Sequence, residues 1–376
     1  MRSTTENLIG FSDKLLQPSL RPRLLEYIDK KTTSGPVVVE LDPTTACNSA
    51  CPECVNLNQL NQGQIESERL KNLMVEFKNA GVKGIIFIGG GEPLLHPSMP
   101  QPLADAFGLD IQVGLTTNGL LTDRFLPEIA DFVDWTRVSV DAASAQTYSI
   151  FRPSGKENAF ETVIENMADL AKVKSGLLGY SFMIIERKLP NGKTISNIDE
   201  LYKAAVLAKE AGCDYFEYKP TVDKDHHLIP LSEQAREGLL KQAEDLKRLE
   251  SYNFKVFSPK SLGHLISGST PDQKKDYQTC PVSEFRTLVT KDGIYPCPYK
   301  RGIQEKMIGS INQPFDEYWK SEERVDKMAS LNPSTDCTFY CIRDEVNIFL
   351  NELSKSNDEK NPIIPPPANE AHDVFI

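Results

Sequence analysis

Seven of the chain's eight cysteines fall into two groups whose spacing suits metal ligation. Cys47, Cys51 and Cys54 form C-x3-C-x2-C within one short stretch. Cys280, Cys297, Cys337 and Cys341 form a second set, Cys280-x16-Cys297 followed by Cys337-x3-Cys341. Cube-shaped 4Fe–4S clusters are held by thiolates, usually four of them. The first group supplies three and has no fourth cysteine nearby, so one iron would stay open to a non-protein ligand. The second supplies four, enough to ligate every iron of one cluster. Structural zinc, which takes four protein ligands, is the alternative. Cys213 stands alone.

Other residues of chemical interest lie between the two groups. Gly89-Gly90-Gly91-Glu92-Pro93 is a glycine run that lets backbone groups approach a ligand closely, with Glu92 as an acceptor for a cationic group. A tight turn is its plainer reading. Glu186, Arg187 and Lys219 are candidates for substrate binding or proton removal, against the plain reading of solvated loop charges. His226 and His227, being adjacent, point in different directions and make a poor metal pair.

These residues need a scaffold, and the chain from 37 to 220 provides one. Short apolar runs alternate with helical patterns, the signature of βαβ units and a parallel sheet. Strands are expected at 37–42, 84–88, 111–116, 136–141, 180–185 and 215–219. Between the first two, Leu70, Leu73, Met74 and Phe77 repeat at one helical face. Phe160, Ile164, Met167 and Ala171 do the same before the fifth strand, and Leu201, Ala205 and Ala208 before the sixth, where Gly212 ends the helix. The fold class is therefore α/β, a partial (β/α)6 TIM-like barrel with a C-terminal cysteine-rich auxiliary-cluster domain. Barrel chemistry sits at the C-terminal ends of the strands. The first cysteine group, the glycine run, Glu186 with Arg187, and Lys219 all fall there.

With these motifs in place, the region 37–220 resembles the core of the radical S-adenosylmethionine (radical SAM) superfamily. The resemblance implies a 4Fe–4S cluster on Cys47, Cys51 and Cys54, whose open iron takes the amino and carboxylate groups of S-adenosylmethionine. It assigns the methionyl amino group to the Gly89–Pro93 loop, chiefly Gly90, Gly91 and Glu92. Ser139 and Asp141, ending the fourth strand, fall where the family contacts the ribose. Arg152 is placed to pair with the methionyl carboxylate, and Thr117 and Asn118 point to the same mouth, although Asn118-Gly119 also suits a plain turn. Reductive cleavage would give a 5′-deoxyadenosyl radical that abstracts a substrate hydrogen, with a flavodoxin or ferredoxin as reductant. The four C-terminal cysteines resemble the Twitch module, related to the SPASM domain, which implies a second, auxiliary 4Fe–4S cluster acting as electron acceptor. Gly293 suggests a hairpin turn bringing Cys280 and Cys297 together.

The expected divisions are an N-terminal extension 1–36, the barrel 37–230, a helical connection 231–276 with Ser232 as N-cap, the auxiliary-cluster domain 277–353 with a helix at 344–353, and a flexible proline-rich tail 354–376. About 36 residues precede the first strand, too few for a leader-peptide recognition domain, which favours a small molecule or a separately presented peptide. A net charge of −11 argues against a nucleic-acid groove. No signal peptide or membrane span is evident, so the cytoplasm is expected. The expected activity is an oxidoreductase that dehydrogenates a sugar, aminosugar or cyclitol. Epimerase, dehydratase and peptide-modifying chemistry are alternatives, as is an iron–sulfur electron-transfer protein without turnover. Cys213, at the closed end of the barrel, is read as structural rather than as an epimerase's hydrogen donor.

Overall fold

The computed structural model describes residues 11–269, 274–358 and 373–375. Strands β1 (Val38–Leu41), β2 (Gly84–Phe87), β3 (Gln112–Thr117), β4 (Trp135–Ser139) and β5 (Leu177–Ile184) pair in chain order, each parallel to the next. A separate antiparallel hairpin follows, β6 (Glu186–Lys188) with β7 (Thr194–Ser196). The sheet then resumes with β8 (Tyr215–Pro220), parallel to β5. These six parallel strands sit where their apolar runs place them, because a strand covered on both faces reads as a continuous apolar run. Helices fill the crossovers. Helix Ser67–Asn79 buries Leu70, Leu73, Met74 and Phe77, the face anticipated from spacing. Helix Leu201–Glu210 ends at Gly212, whose φ of 83° is the left-handed turn.

The sheet is wider than the six strands. β9 (Lys255–Phe257) adds parallel to β8 at one edge. At the other edge β10 (Arg286–Val289) pairs parallel with β1, and β11 (Ile294–Tyr295) pairs antiparallel with β10. The result is an open nine-stranded sheet, consistent with a partial barrel. The expected hairpin between Cys280 and Cys297 is present, but it is continuous with the barrel sheet. The stretch expected as a helical connection holds helices Glu233–Leu246 and Leu262–Ser267 with β9 between them. Ser232 caps the first, accepting from Ala235 N at 3.2 Å.

The lower end of the barrel is packed shut. Gly114 and Gly179 face Trp135 and Tyr215, where a Cβ would lie 2.3 and 1.9 Å from those rings. Phe375 packs edge-on against Trp135, with centroids 5.5 Å apart. The buried pair Lys14–Asp373 (2.5 Å) anchors this segment to helix Phe11–Leu16. The tail expectation therefore fails at two places: the last helix runs Asp344–Asp358, and Asp373–Phe375 belong to the core, because Val374 and Phe375 fill space that Gly84 leaves. The proline-rich part, 359–372, lies outside the described residues. Among the described residues no helix is long and apolar enough to cross a membrane.

Candidate active site

The site begins where β1 ends. Asn61 N donates to Thr45 O and Gln62 N to Thr45 Oγ1, both at 2.8 Å, and Thr45 Oγ1 donates to Gly63 O at 2.8 Å. These bonds close a loop that carries Cys47, Cys51 and Cys54. Burial pushes Cys47 up to about 11 and raises Cys51 as well, each worsened by its neighbouring thiols. Such thiols lose their protons when a cation binds, which is how metal sites release protons on loading. Three partly buried thiols near one another on one loop, with Arg152 favouring the thiolate of Cys51, fit a cluster with one open iron.

The glycine loop is built into the cysteine loop. Gly91 N donates to Thr44 O (3.1 Å) and Glu92 N to Ala46 O (2.7 Å). A Cβ on Gly91 would stand 2.1 Å from Ala46 O, so only glycine permits this approach. Gly89 has φ 97°, and Pro93 is buried at the start of the turn Pro93–Leu95. Glu92 does not project as a free acceptor. Its buried carboxylate accepts from Thr117 Oγ1 (2.7 Å), Asn118 N (2.7 Å) and Leu94 N (3.2 Å), tying the loops after β2 and β3 together. Asn118 makes the turn bond from Leu120 N (3.0 Å) and also donates to Asn48 Oδ1 (2.7 Å) in the cysteine loop. The turn reading of Asn118 is thus realised, and its amide also ties the turn to the cysteine loop.

Asp141 and Arg152 meet each other. Arg152 contacts Asp141 Oδ2 through Nε (2.7 Å) and Nη2 (2.6 Å), while Asp141 Oδ1 accepts from Met183 N (2.6 Å). Asp141 is buried at φ 59°, an uncommon conformation held here by Asn197, whose amide donates to Asp141 O and Met183 O, both at 2.8 Å. Ser139, last in β4, stands half-buried beside Ser181 of β5. Pro153 O accepts from Ala50 N (2.7 Å), so the Arg152 turn abuts the cysteine loop.

Strand alternation turns a polar layer into the barrel. Arg137 of β4 lies 3.3 Å from Glu217 of β8, which also accepts from Ser181 Oγ at 2.9 Å. Lys219, two residues on, shares Glu217 at 3.7 Å. One carboxylate thus serves two cations, and Arg137 Nε has no partner among the described residues. Burial, followed by Arg137, lowers the Lys219 pKa.

Two expected substrate residues have other work. Glu186 accepts from Ser232 N (2.7 Å) and Ser232 Oγ (2.6 Å), pinning the β6–β7 hairpin to the start of helix Glu233–Leu246. A carboxylate so engaged at the outer rim is poorly placed as a base. Arg187 pairs with Glu53 (2.8 Å), which lies between Cys51 and Cys54, and is 5.8 Å from the Phe151 ring centroid. It positions the cysteine loop. A groove of about 360 Å³ opens beside this pair, lined by Cys54, Leu57, Arg187, Thr221 and Asp223 among others.

Cys280, Cys297, Cys337 and Cys341 line a single cavity. Burial pushes Cys337 up to about 11, and Cys297 and Cys341 up to about 12, with the neighbouring thiols adding to each. Ser283 Oγ and Asn347 Nδ2 approach Cys280 Sγ at 3.2 and 3.5 Å. Among the described residues no three His, Cys, Asp or Glu side chains converge as one metal ion requires. The four thiols that line the cavity are the donor set that a fully protein-ligated 4Fe–4S cluster takes, and a four-cysteine zinc site uses the same donors. The cavity abuts the barrel: His227 Nε2 bonds Thr338 O at 2.8 Å, His226 packs on Tyr299 and Phe339, and Arg301 holds Asp42 through Nε (2.6 Å) and Nη2 (3.1 Å). Cys213 is buried in the core, its pKa raised far above the usual range.

Sequence reasoning passed over Arg137, Glu217, Asn197, Arg301 and Arg343. A usable signal existed for the first two, since a charge inside an otherwise apolar parallel strand must face a polar lumen. No local pattern marks the others.

The chain is similar to several known proteins. Residues 41–188 match the Radical SAM superfamily. Over 317 residues the chain is 30% identical to AdoMet-dependent heme synthase of Methanosarcina barkeri, covering 79% of this chain and 85% of that one. It is 25% identical over 318 residues to mycofactocin maturase MftC of Mycolicibacterium smegmatis, covering 80% and 74%. The structure of Streptococcus suis SuiB bound to precursor peptide SuiA superposes with a TM-score of 0.62 at 13% identity, covering 94% of this chain and 79% of that one. At that identity the likeness speaks for the fold alone.

Proposed function

The chain belongs to the radical SAM superfamily, and from that premise we propose that it oxidises a substrate bearing an anionic group, with one electron leaving through an auxiliary 4Fe–4S cluster. It is a radical SAM enzyme, and the family works with a 4Fe–4S cluster and S-adenosylmethionine, which together supply hydrogen-atom abstraction. SPASM-type relatives carry auxiliary clusters, which supply a one-electron sink. Cys47, Cys51 and Cys54 would hold the first cluster and Cys280, Cys297, Cys337 and Cys341 the second. The single observation carrying the oxidation is that four thiols share one cavity, leaving no iron for substrate.

The remaining roles belong to the chain's own groups. Gly90 and Gly91 keep backbone groups accessible beside the cysteine loop, while Glu92 and Asn118 hold that loop in place. Ser139, Asp141 and Arg152 line the same mouth, with Arg152 and Asp141 as the cofactor-orienting pair. Lys219 and Arg137, sharing one carboxylate, retain positive charge for a substrate anion such as a carboxylate. The substrate then loses one hydrogen atom to the abstracting radical, one electron to the second cluster and one proton to water at the open mouth, two hydrogens in all. A flavodoxin or ferredoxin would deliver the initiating electron in the cytoplasm, where all eight thiols, none of them bridged, stay reduced.

The relatives named above make haem and mature mycofactocin, so the sugar or cyclitol expectation gains no support and is set aside. Peptides and small molecules with a carboxylate both satisfy the polar layer. The test is anaerobic incubation of the reduced enzyme and S-adenosylmethionine with separate peptide and small-molecule extracts. A product two hydrogens lighter, with 5′-deoxyadenosine formed alongside, is expected. A product of unchanged oxidation level would overturn the oxidation, and undiminished product from a Cys337→Ala/Cys341→Ala variant would overturn the acceptor role.

A further inference from the structure

We propose that Arg343 is the redox-tuning residue of the second thiol set, donating N–H bonds to the sulfurs of the cluster held there while Glu40 balances its charge. This rests on the reading that Cys280, Cys297, Cys337 and Cys341 hold a cluster. Arg343 is 3% exposed, and its side chain lines the cavity shared by those four cysteines. Its Nη2 bonds Glu40 Oε1. Its Nε and Nη1 are buried with no hydrogen-bond partner among the described residues.

Two unpaired guanidinium donors are costly to bury, so a native chain keeps them for an acceptor. Cys297 and Cys341 are among the charged neighbours of this guanidinium. The other basic residue lining the cavity, Lys275, is already committed to Asp344 at 3.3 Å. Arg343 is therefore the arginine positioned to reach the cluster sulfurs.

The electrostatic consequence follows from charge. One-electron reduction adds a negative charge in a buried site, and N–H donors with a fixed cation stabilise the reduced state more than the oxidised one. Glu40 opposes them. It sits on β1, the strand that leads into the Cys47 loop, and Arg286 holds its Oε1 at 2.7 Å. The residue that sets the acceptor's potential is thus fastened to the strand carrying the first cysteine loop.

The test uses the full chain with Cys47, Cys51 and Cys54 replaced by alanine, so that only the second cluster is read. It is reconstituted anaerobically and reduced with dithionite. Because Arg343 N already faces the Cys341 thiol, the label is placed on the guanidinium nitrogens alone, and in protein carrying such 15N-arginine pulsed EPR of the reduced cluster should show a guanidinium nitrogen coupling. No such coupling would overturn the proposal without any substitution at Arg343. In redox titrations Arg343→Gln should move the midpoint to lower potential and Arg343→Lys by less, while Glu40→Gln should move it to higher potential. Those opposite signs are not expected of a merely structural role, which would lower iron content alone. Unmoved midpoints in variants that keep about four irons overturn the tuning role. Failure of the labelled parent to bind iron would overturn the cluster reading itself, and the tuning role with it.

Discussion

Replacing Gly91 by alanine should separate the loop's steric demand from its general glycine content. The new Cβ would stand 2.1 Å from Ala46 O and 2.5 Å from Thr45 C, and both are backbone atoms that cannot rotate away. Relief requires the two loops to part by about 1 Å, which overpacking series put at about 1–3 kcal/mol. That parting breaks Gly91 N–Thr44 O and Glu92 N–Ala46 O, two backbone bonds worth about 0.5–1.5 kcal/mol each. The expected loss is about 2–6 kcal/mol. Gly90→Ala is the control: its Cβ would meet Thr45 Cγ2 at 3.2 Å and Asp42 Oδ2 at 3.6 Å, contacts that small side-chain movements relieve, for a cost below about 1 kcal/mol. Urea unfolding of the metal-free chains measures both. Iron counting after anaerobic reconstitution adds a second readout. Gly91→Ala should keep about four irons on the second set and lose those of the Cys47 loop, whereas Gly90→Ala should load both. Equal stabilities for the two variants, or full loading of Gly91→Ala, would refute the reasoning.

Arg324, 1% exposed, bonds Glu284, Thr32 Oγ1 (2.6 Å) and Trp319 O (2.8 Å), so Arg324→Met should cost about 3–5 kcal/mol by stranding the Glu284 charge, and adding Glu284→Gln should recover part of it in urea unfolding. Phe375→Ala should cost about 3–5 kcal/mol, with a change in Trp135 fluorescence reporting the opened barrel floor; an unchanged unfolding midpoint would count against the plug. Lys219 must be protonated to hold a substrate anion, and its pKa is lowered, so KM should climb with pH below the ordinary lysine range near ~10.4. Lys219→Arg should hold KM flat through that window, and a wild-type KM that stays flat as well would remove Lys219 from substrate binding.

The Cys47–Cys54 loop and the parallel sheet were legible in the residues because their signals are local. Cys47, Cys51 and Cys54 lie within one loop, and the six strands carry short, largely apolar runs that alternate with helical periods. Helix Ser67–Asn79 announces its buried face at a spacing of three and four, which any helix must follow. Lys219 was read at its strand end, whereas Glu40, Arg137 and Glu217, charges set within largely apolar strands, carried a signal that was passed over, and no local pattern named their partners. Tertiary structure alone decided what those charges meet. Arg343 reaches Glu40 across 303 residues, Arg301 reaches Asp42 across 259, and Lys14 reaches Asp373 across 359. No periodic pattern records such a pairing, since it depends on where segments distant in the chain dock and not on either segment's own preference. The same holds for Glu186 and Arg187. Both looked available for chemistry as titratable residues at a strand end, and packing gave one to a helix cap and the other to the cysteine loop, because a charge near a mouth takes whichever partner the fold brings within reach.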